Sequence, residues 1–99
     1  MAWYTYILLC DQKTYYIGLT SNLRNRLKSH KLKQNIGTKE FSDIRLVYFE
    51  KYKIRKESEN REQQLKKWTV AKKKALITGN LELLKKLSKT RSLLKDTRG

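Results

Sequence analysis

The stretch that most constrains the fold is the beginning of the chain. Trp3 to Cys10 is rich in aromatic and β-branched residues, Asp11-Gln12-Lys13 interrupts it, and Tyr15-Tyr16-Ile17-Gly18 resumes it. Two such runs across a short polar turn predict a β-hairpin. Because strand side chains alternate between faces, Tyr4, Tyr6, Leu8 and Cys10 share one face of the first strand, and Tyr16 and Gly18 share one face of the second. A turn centred near Gln12 puts Tyr6 and Tyr16 on the same side of the sheet, whereas a two-residue turn shifts the register by one and separates them. Gly18 itself reads as a tight strand end.

The later segments are laid against this hairpin. From Asn22 to Leu32, Leu23 and Leu27 recur at i, i+4 behind Thr20, Ser21 or Asn22 as N-cap, which predicts a helix with one narrow apolar stripe. Asn35 to Asp43, with Gly37 and small polar residues, reads as a loop. Ile44 to Tyr52 is apolar or aromatic at both alternating sets of positions, the pattern of a strand covered on both faces. Arg55 to about Thr78 is one long helical pattern, with Leu65 and Trp68 inward and Lys72-Lys73-Lys74 marking a break or an exposed turn. Gly79 then ends a helix, and Asn80 is placed to cap a last one carrying Leu84, Leu87 and Leu94. The order β-β-α-β-α-α predicts an α/β chain of the α+β type: a small three-stranded antiparallel sheet with helices packed on it.

Composition decides what such a domain meets. The 99 residues contain no proline and four scattered glycines, so no linker divides the chain and no repeat is visible. Residues 1–80 are expected to form the working domain, with 81–99 a basic C-terminal helix or tail of the same domain. Twenty-four Lys and Arg against nine Asp and Glu leave a net charge of +15, the sign and size that attract a polyphosphate. The last third is richest, with eleven basic and two acidic residues in 66–99. Hydrophobic residues make up 38% of the chain, enough for a core, which excludes disorder as the reason for the charge. Tyr6 to Cys10 is far shorter than the roughly 18–20 apolar residues of a membrane span. Nor does a basic segment open the chain as in a signal peptide. Cys10 has no cysteine to pair with, and the one histidine leaves no structural zinc set. The expected location is the cytoplasm and the expected partner nucleic acid, not a membrane.

Helical geometry then singles out a few polar residues. At 100° per residue, Arg26 and His30 lie about 40° apart, at and beside the Leu23–Leu27 stripe, so both look toward the sheet. Arg24, Lys28 and Lys31 cluster on an outward face suited to phosphate contacts that hold without reacting. Glu62 sits about 60° from Leu65, on the border of a buried stripe. Phosphodiester hydrolysis needs a metal ion to neutralise charge, a base for water and a fixed cation at the transition state. Glu62, a tyrosine and Arg26 can supply those parts. Glu50, Glu57 and Glu59 compete with Glu62, Glu59 foremost.

The string Tyr16-Ile17-Gly18, ten residues after Tyr6 and followed by Asn22-Leu23-Arg24-Asn25-Arg26-Leu27 and His30, resembles the GIY-YIG nucleases. It is most similar to small stand-alone bacterial members related to the nuclease domain of the nucleotide-excision-repair subunit. The second motif is complete here; in the first, Tyr4-Thr5-Tyr6 stands where the family name has Gly-Ile-Tyr, and only the tyrosine is kept. Arg26, eight residues after the motif glycine, and His30, four further on, match. Arg61 to Trp68 is similar to the family's helix bearing the metal-binding glutamate, which falls on Glu62. Leu19 replaces the lysine that several members carry. The resemblance implies metal-dependent DNA cleavage, structure-directed in repair or recombination, with one Mg²⁺ or Mn²⁺ held by Glu62. Arg26 would steady the phosphate, Tyr16 or Tyr6 would act on the nucleophile side, and His30 would share or relay the proton. Arg26 and the bound cation are expected to lower the tyrosine pKa from about 10.

Plainer readings stand beside these. Tyr6 and Tyr16 can be sheet aromatics, Arg26 a solvated charge, and His30 the cap of a core edge. Trp68 reads as core, and Asn80 as an N-cap before it is a site residue. Lys66, Lys67, Lys72, Lys73 and Lys74 form either a solvated face or a phosphate track. Two other functions compete with a nuclease: a DNA- or RNA-binding module that does not cut, and a basic adaptor docking on an acidic protein. No separate recognition module is evident, which leaves structure-directed cutting, modest specificity, or a protein partner that supplies targeting.

Overall fold

A computed structural model describes residues 2–80. Its elements are β1 (Trp3–Cys10), β2 (Thr14–Thr20), α1 (Leu23–Lys31), β3 (Ile44–Tyr52), α2 (Arg55–Lys66) and α3 (Val70–Thr78). The expected order and antiparallel three-stranded sheet are present, with strand order β2-β1-β3. Among the described residues, those up to Lys67 form one compact unit and those from Trp68 to Asn80 belong to a second. The expectation of a helix after Asn80, and of 81–99 as part of the same domain, lies outside the described residues.

The hairpin pairs Tyr6 with Gly18 and Leu8 with Tyr16, closing as Cys10 opposite Thr14. The turn is therefore centred on Gln12, and Tyr6 and Tyr16 share a face. Asp11 and Gln12 both take positive φ, 52° and 60°, a conformation that Asp tolerates better than most residues. Asp11 then ties the turn to the loop before β3, its Oδ1 accepting from the backbone N–H groups of Ser42 at 2.9 Å and Asp43 at 2.8 Å.

Three expectations need correction. β3 is an edge strand, half-exposed along most of its length; its doubly apolar pattern arises in part from tyrosines that point hydroxyls at charged groups. The strand covered on both sides is β1, where Thr5 to Leu8 are all buried. A register slip against β3, with Ile7 facing Tyr48 and Leu8 facing Leu46, leaves Val47 as a bulge. The long helix breaks at Lys67–Thr69, earlier than the lysine cluster, because Thr69 caps α3 by accepting from Lys72 N–H. Gly18 is not at a strand end either. It lies within β2 opposite Tyr6, where an added Cβ would come 2.4 Å from the Tyr6 hydroxyl oxygen.

Adjacent residues of β1 tie the sheet to different helices. Thr5 Oγ1 donates to the Ser58 carbonyl of α2 at 2.8 Å, and Tyr6, on the opposite face, meets His30 of α1. Around Tyr6, Leu8, Cys10 and Ile44 pack Tyr16, Leu23, Leu27, Phe41 and Leu46. The predicted stripe of α1 thus joins the core, and Asn22 is its N-cap, accepting from Asn25 N–H at 3.0 Å. In the second unit, α3 ends as expected at Gly79, whose φ of 73° suits glycine, and Lys72 lies 4.2 Å from the centre of the half-buried Trp68 ring.

Candidate active site

His30 is the hub of the Tyr6 face. It is fully buried, with Nε2 2.8 Å from the Tyr6 hydroxyl and Nδ1 2.6 Å from Thr38 Oγ1. The Tyr6 and Tyr16 rings both meet the imidazole edge-on, with centroids at 5.8 and 5.2 Å. Tyr6 is buried, whereas Tyr16 and Arg26 are half-exposed, so of the two tyrosines Tyr16 is the one open to solvent.

Charges converge on the Tyr6 oxygen. Burial pushes its pKa well above the ordinary tyrosine value and Tyr16 adds to the rise; Arg26 draws it back by charge and hydrogen bonding, and Glu62 raises it again. Arg26 therefore acts in the expected direction, but burial outweighs it at Tyr6, which is a neutral phenol at neutral pH. Burial also lowers the His30 pKa, with the Arg26 charge adding to the effect. The imidazole is neutral as well.

Glu62 lies where its helix position predicts, with 13% of its side chain exposed and Lys66 Nζ 3.5 Å from its Oε2. Its acidic competitors are engaged elsewhere. Glu59 pairs with Arg55 at 2.8 Å, and Glu50 accepts from Tyr48 and Tyr52 at 2.5 Å each and from Arg61 at 2.9 and 3.1 Å. Glu57 lies exposed on α2, where its charge raises the Tyr52 pKa.

The lysines sort by element. Arg24, Lys28 and Lys31 are exposed on α1 and around its C-terminus, and Lys66 and Lys67 are exposed at the end of α2. Lys74 is exposed on α3, while Lys72 and Lys73 are half-buried there. The Lys66–Lys74 run is thus split between two elements.

Residue by residue, then, Tyr6 and Tyr16 both contact His30, and the charges of Arg26 and Glu62 shift the Tyr6 pKa in opposite directions. Thr38 had no signal in the sequence: it sits in a loop eight residues after His30, and only the fold closes that distance.

A family model, the GIY-YIG catalytic domain, matches residues 2–75. The chain belongs to the GIY-YIG family. It is 38% identical over 80 residues to a UPF0213 protein of Clostridium perfringens (strain 13 / Type A), covering 76% of this chain and 82% of that one. A UPF0213 protein of Syntrophus aciditrophicus (strain SB) is 38% identical over 85 residues, covering 80% and 93%. Among solved structures, the solution NMR structure of a UPF0213 protein from Bacillus halodurans superposes with a TM-score of 0.52 at 28% identity, covering 79% of this chain and 84% of that one. The GIY-YIG domain is a nuclease catalytic domain, which implies a nucleic-acid substrate, and nucleases of this family generally use divalent metal ions.

The residues present fit such an ion. Among the described residues no three His, Cys, Asp or Glu come together; a single carboxylate, Glu62, would be the protein donor. Mg²⁺ is commonly held this way, keeping several waters and taking one or two carboxylates plus substrate phosphate oxygens. Lys66, exposed and one helical turn away, can swing off the carboxylate when a cation replaces it. No helix among the described residues is long and apolar enough to cross a membrane.

Proposed function

We propose that this protein is a metal-dependent endonuclease that hydrolyses phosphodiester bonds in DNA. The observation that carries this reading is the cluster at His30: the buried Tyr6 and the half-exposed Tyr16 both meet its imidazole, one helical turn from Arg26, in a chain that matches a nuclease catalytic domain.

Roles follow from exposure and charge. Tyr16, open to solvent, would take the proton of the attacking water once its own hydroxyl proton has passed to bulk solvent. Arg26, half-exposed and always charged, binds the phosphate oxygens that gain charge in the transition state. A divalent cation held by Glu62 would supply Lewis-acid neutralisation of the phosphate and the leaving oxygen. Tyr6, kept as a neutral phenol, orients the site, and His30, buried behind it, acts through Tyr6 as a positioning residue. Arg24, Lys28, Lys31, Lys66, Lys67, Lys72, Lys73 and Lys74 hold the strand. The substrate is branched or flapped DNA in repair or recombination, or DNA to which a protein partner brings the enzyme.

The test is cleavage of a labelled branched DNA by purified protein with Mg²⁺ or Mn²⁺. Arg26→Ala and Glu62→Gln should each lose cleavage by roughly 10²–10³-fold, the usual size of one electrostatic contact in a transition state, while still binding DNA. Equal activity in both variants would expose a contaminating nuclease. The Lys66–Glu62 ion pair favours a second reading, a DNA- or RNA-binding module that does not cut. It predicts salt-sensitive binding with no product at any metal concentration.

A further inference from the structure

The loop between α1 and β3, unremarkable in sequence, touches His30 and Tyr16. We infer that Gly37 and Thr38 are positioning residues of the site: Thr38 holds His30 as the Nδ1–H tautomer, so that Nε2 receives the Tyr6 hydroxyl proton, and Gly37 leaves the space in which the Tyr16 ring lies. The consequences for cleavage rest on the nuclease reading above; the tautomer does not.

The direction of each hydrogen bond can be worked out from the inventory of donors. Tyr6 is buried, so its hydroxyl proton needs an acceptor inside the protein, and the acceptor within reach is His30 Nε2 at 2.8 Å. A phenol is also a stronger donor than the Thr38 alcohol, so of the two hydroxyls on the imidazole Tyr6 is the one that donates. A neutral imidazole has one N–H and one acceptor nitrogen. With Nε2 accepting, the proton is on Nδ1, and Thr38 Oγ1 at 2.6 Å is its acceptor. Thr38 is fully buried, so no solvent competes for the contact. The outcome is a Tyr6 hydroxyl whose proton is committed inward, to His30.

Gly37 acts by absence of a side chain. Its φ is not positive, so the backbone does not demand glycine. Space does: an added Cβ would stand 2.8 Å from Tyr16 Cε2, with the Tyr16 hydroxyl oxygen at 3.3 Å. The clashing atom belongs to a rigid ring, so a methyl group there must turn Tyr16. The loop is held to do this work. Thr38 N–H donates to the Asn35 carbonyl and Phe41 N–H to the Thr38 carbonyl, both at 3.1 Å. Asn35 Nδ2 donates to Ser29 Oγ on α1 at 3.2 Å, and Lys33 Nζ donates to the Phe41 carbonyl.

His30 is the one histidine in the chain, so ¹⁵N-edited NMR at neutral pH reads its tautomer without ambiguity. The wild type should show protonated Nδ1 and unprotonated Nε2. Thr38→Val, which keeps the shape and removes the acceptor, should move the population toward Nε2–H, and Thr38→Ser should restore the wild-type pattern. In single-turnover cleavage, Thr38→Val should lower the rate at least tenfold with DNA affinity unchanged, and Thr38→Ser should recover it. Gly37→Ala should shift the Tyr16 ring resonances and slow cleavage at least tenfold while leaving the His30 tautomer alone. An Nε2–H tautomer in the wild type, or an unchanged tautomer in Thr38→Val, overturns the Thr38 assignment. Unmoved Tyr16 resonances in Gly37→Ala overturn that of Gly37. Should Thr38→Val fail to fold, the wild-type tautomer decides by itself. Absence of cleavage by the wild type would sink the nuclease reading and leave the NMR result to judge this one.

Discussion

The two faces of the sheet each carry tyrosines with an arginine, and α2 or β3 brings a glutamate to each group, yet the groups differ in what they leave over. On the α2 face, Glu50 accepts from Tyr48, Tyr52 and both Nε and Nη2 of Arg61, which saturates a carboxylate with internal donors and staples β3 to α2. On the α1 face, the Tyr6–His30–Thr38 chain is closed behind the surface, while Tyr16 and Arg26, with Glu62 of α2 and its one exposed lysine, keep capacity toward solvent. The same residue types thus build structure where every valence is consumed and a site where some are not.

Exchanging one hydroxyl for hydrogen on each face should separate the two roles most widely. Tyr16→Phe should slow cleavage by about 10²–10⁴-fold, the range for a lost general base, with little change in melting temperature. Tyr48→Phe should leave the cleavage rate within about twofold and lower stability instead, by roughly 1.5–3 kcal/mol for a hydrogen bond to a charged group. Thermal melts beside single-turnover rates would show it, and a reversed pattern would erase the distinction.

Arg61→Ala is the next largest break. It strips the largely buried Glu50 of its cation and should cost about 2 kcal/mol in denaturant unfolding. The equivalent change on the other face, Arg26→Ala, should cost under about 0.5 kcal/mol, the usual scale for a surface residue.

Acid should loosen the faces in sequence. His30 has a folded pKa below its ordinary 6.5, so its contribution is complete above about 6.5 and is lost as pH falls through the folded value. At Glu50 burial works upward, but the hydrogen bonds from Arg61, Tyr48 and Tyr52 prevail and hold the carboxyl below its ordinary 4.5; its contribution is lost only at lower pH. Stability measured against pH should therefore show two steps, with His30→Gln removing the upper and Glu50→Gln the lower. At the alkaline end, Tyr48 and Tyr52, each pushed up to about 12 by burial and then by Glu50, keep their contribution until pH rises past 10 toward that value. The smallest effect concerns the outward lysines: Lys28→Gln and Lys31→Gln should each reduce the salt slope of duplex binding by about 0.9 if each neutralises one phosphate.

Local pattern carried much of this into view. The hairpin, its shared Tyr6–Tyr16 face, the α1 stripe and the Gly79 stop all follow from periodicity and turn chemistry over a few residues. Pairings between distant segments did not. The break before Thr69 depended on a cap competing with a helical pattern, and β3 looked buried because Tyr48 and Tyr52 read as apolar until Glu50 and Arg61 were seen to claim their hydroxyls. Of the candidate site residues, Tyr6, Tyr16, Arg26, His30 and Glu62 stand out in the sequence through their spacing together with the family resemblance. Thr38 and Gly37 were not, since their effect depends on a loop folding back over α1, which no short-range signal encodes. Gly18 was visible as a glycine but misread, because the demand on it comes from Tyr6 across the hairpin.

The central claim is that the open cluster cuts DNA with a metal held by Glu62. Its most direct test is single-turnover cleavage of a labelled branched DNA as Mg²⁺ is titrated, wild type beside Glu62→Gln. The wild type should form product in a saturable, chelator-reversible manner, with Glu62→Gln slower by roughly 10²–10³-fold at every concentration. Product formed equally by both proteins, or by neither while DNA remains bound, would contradict it.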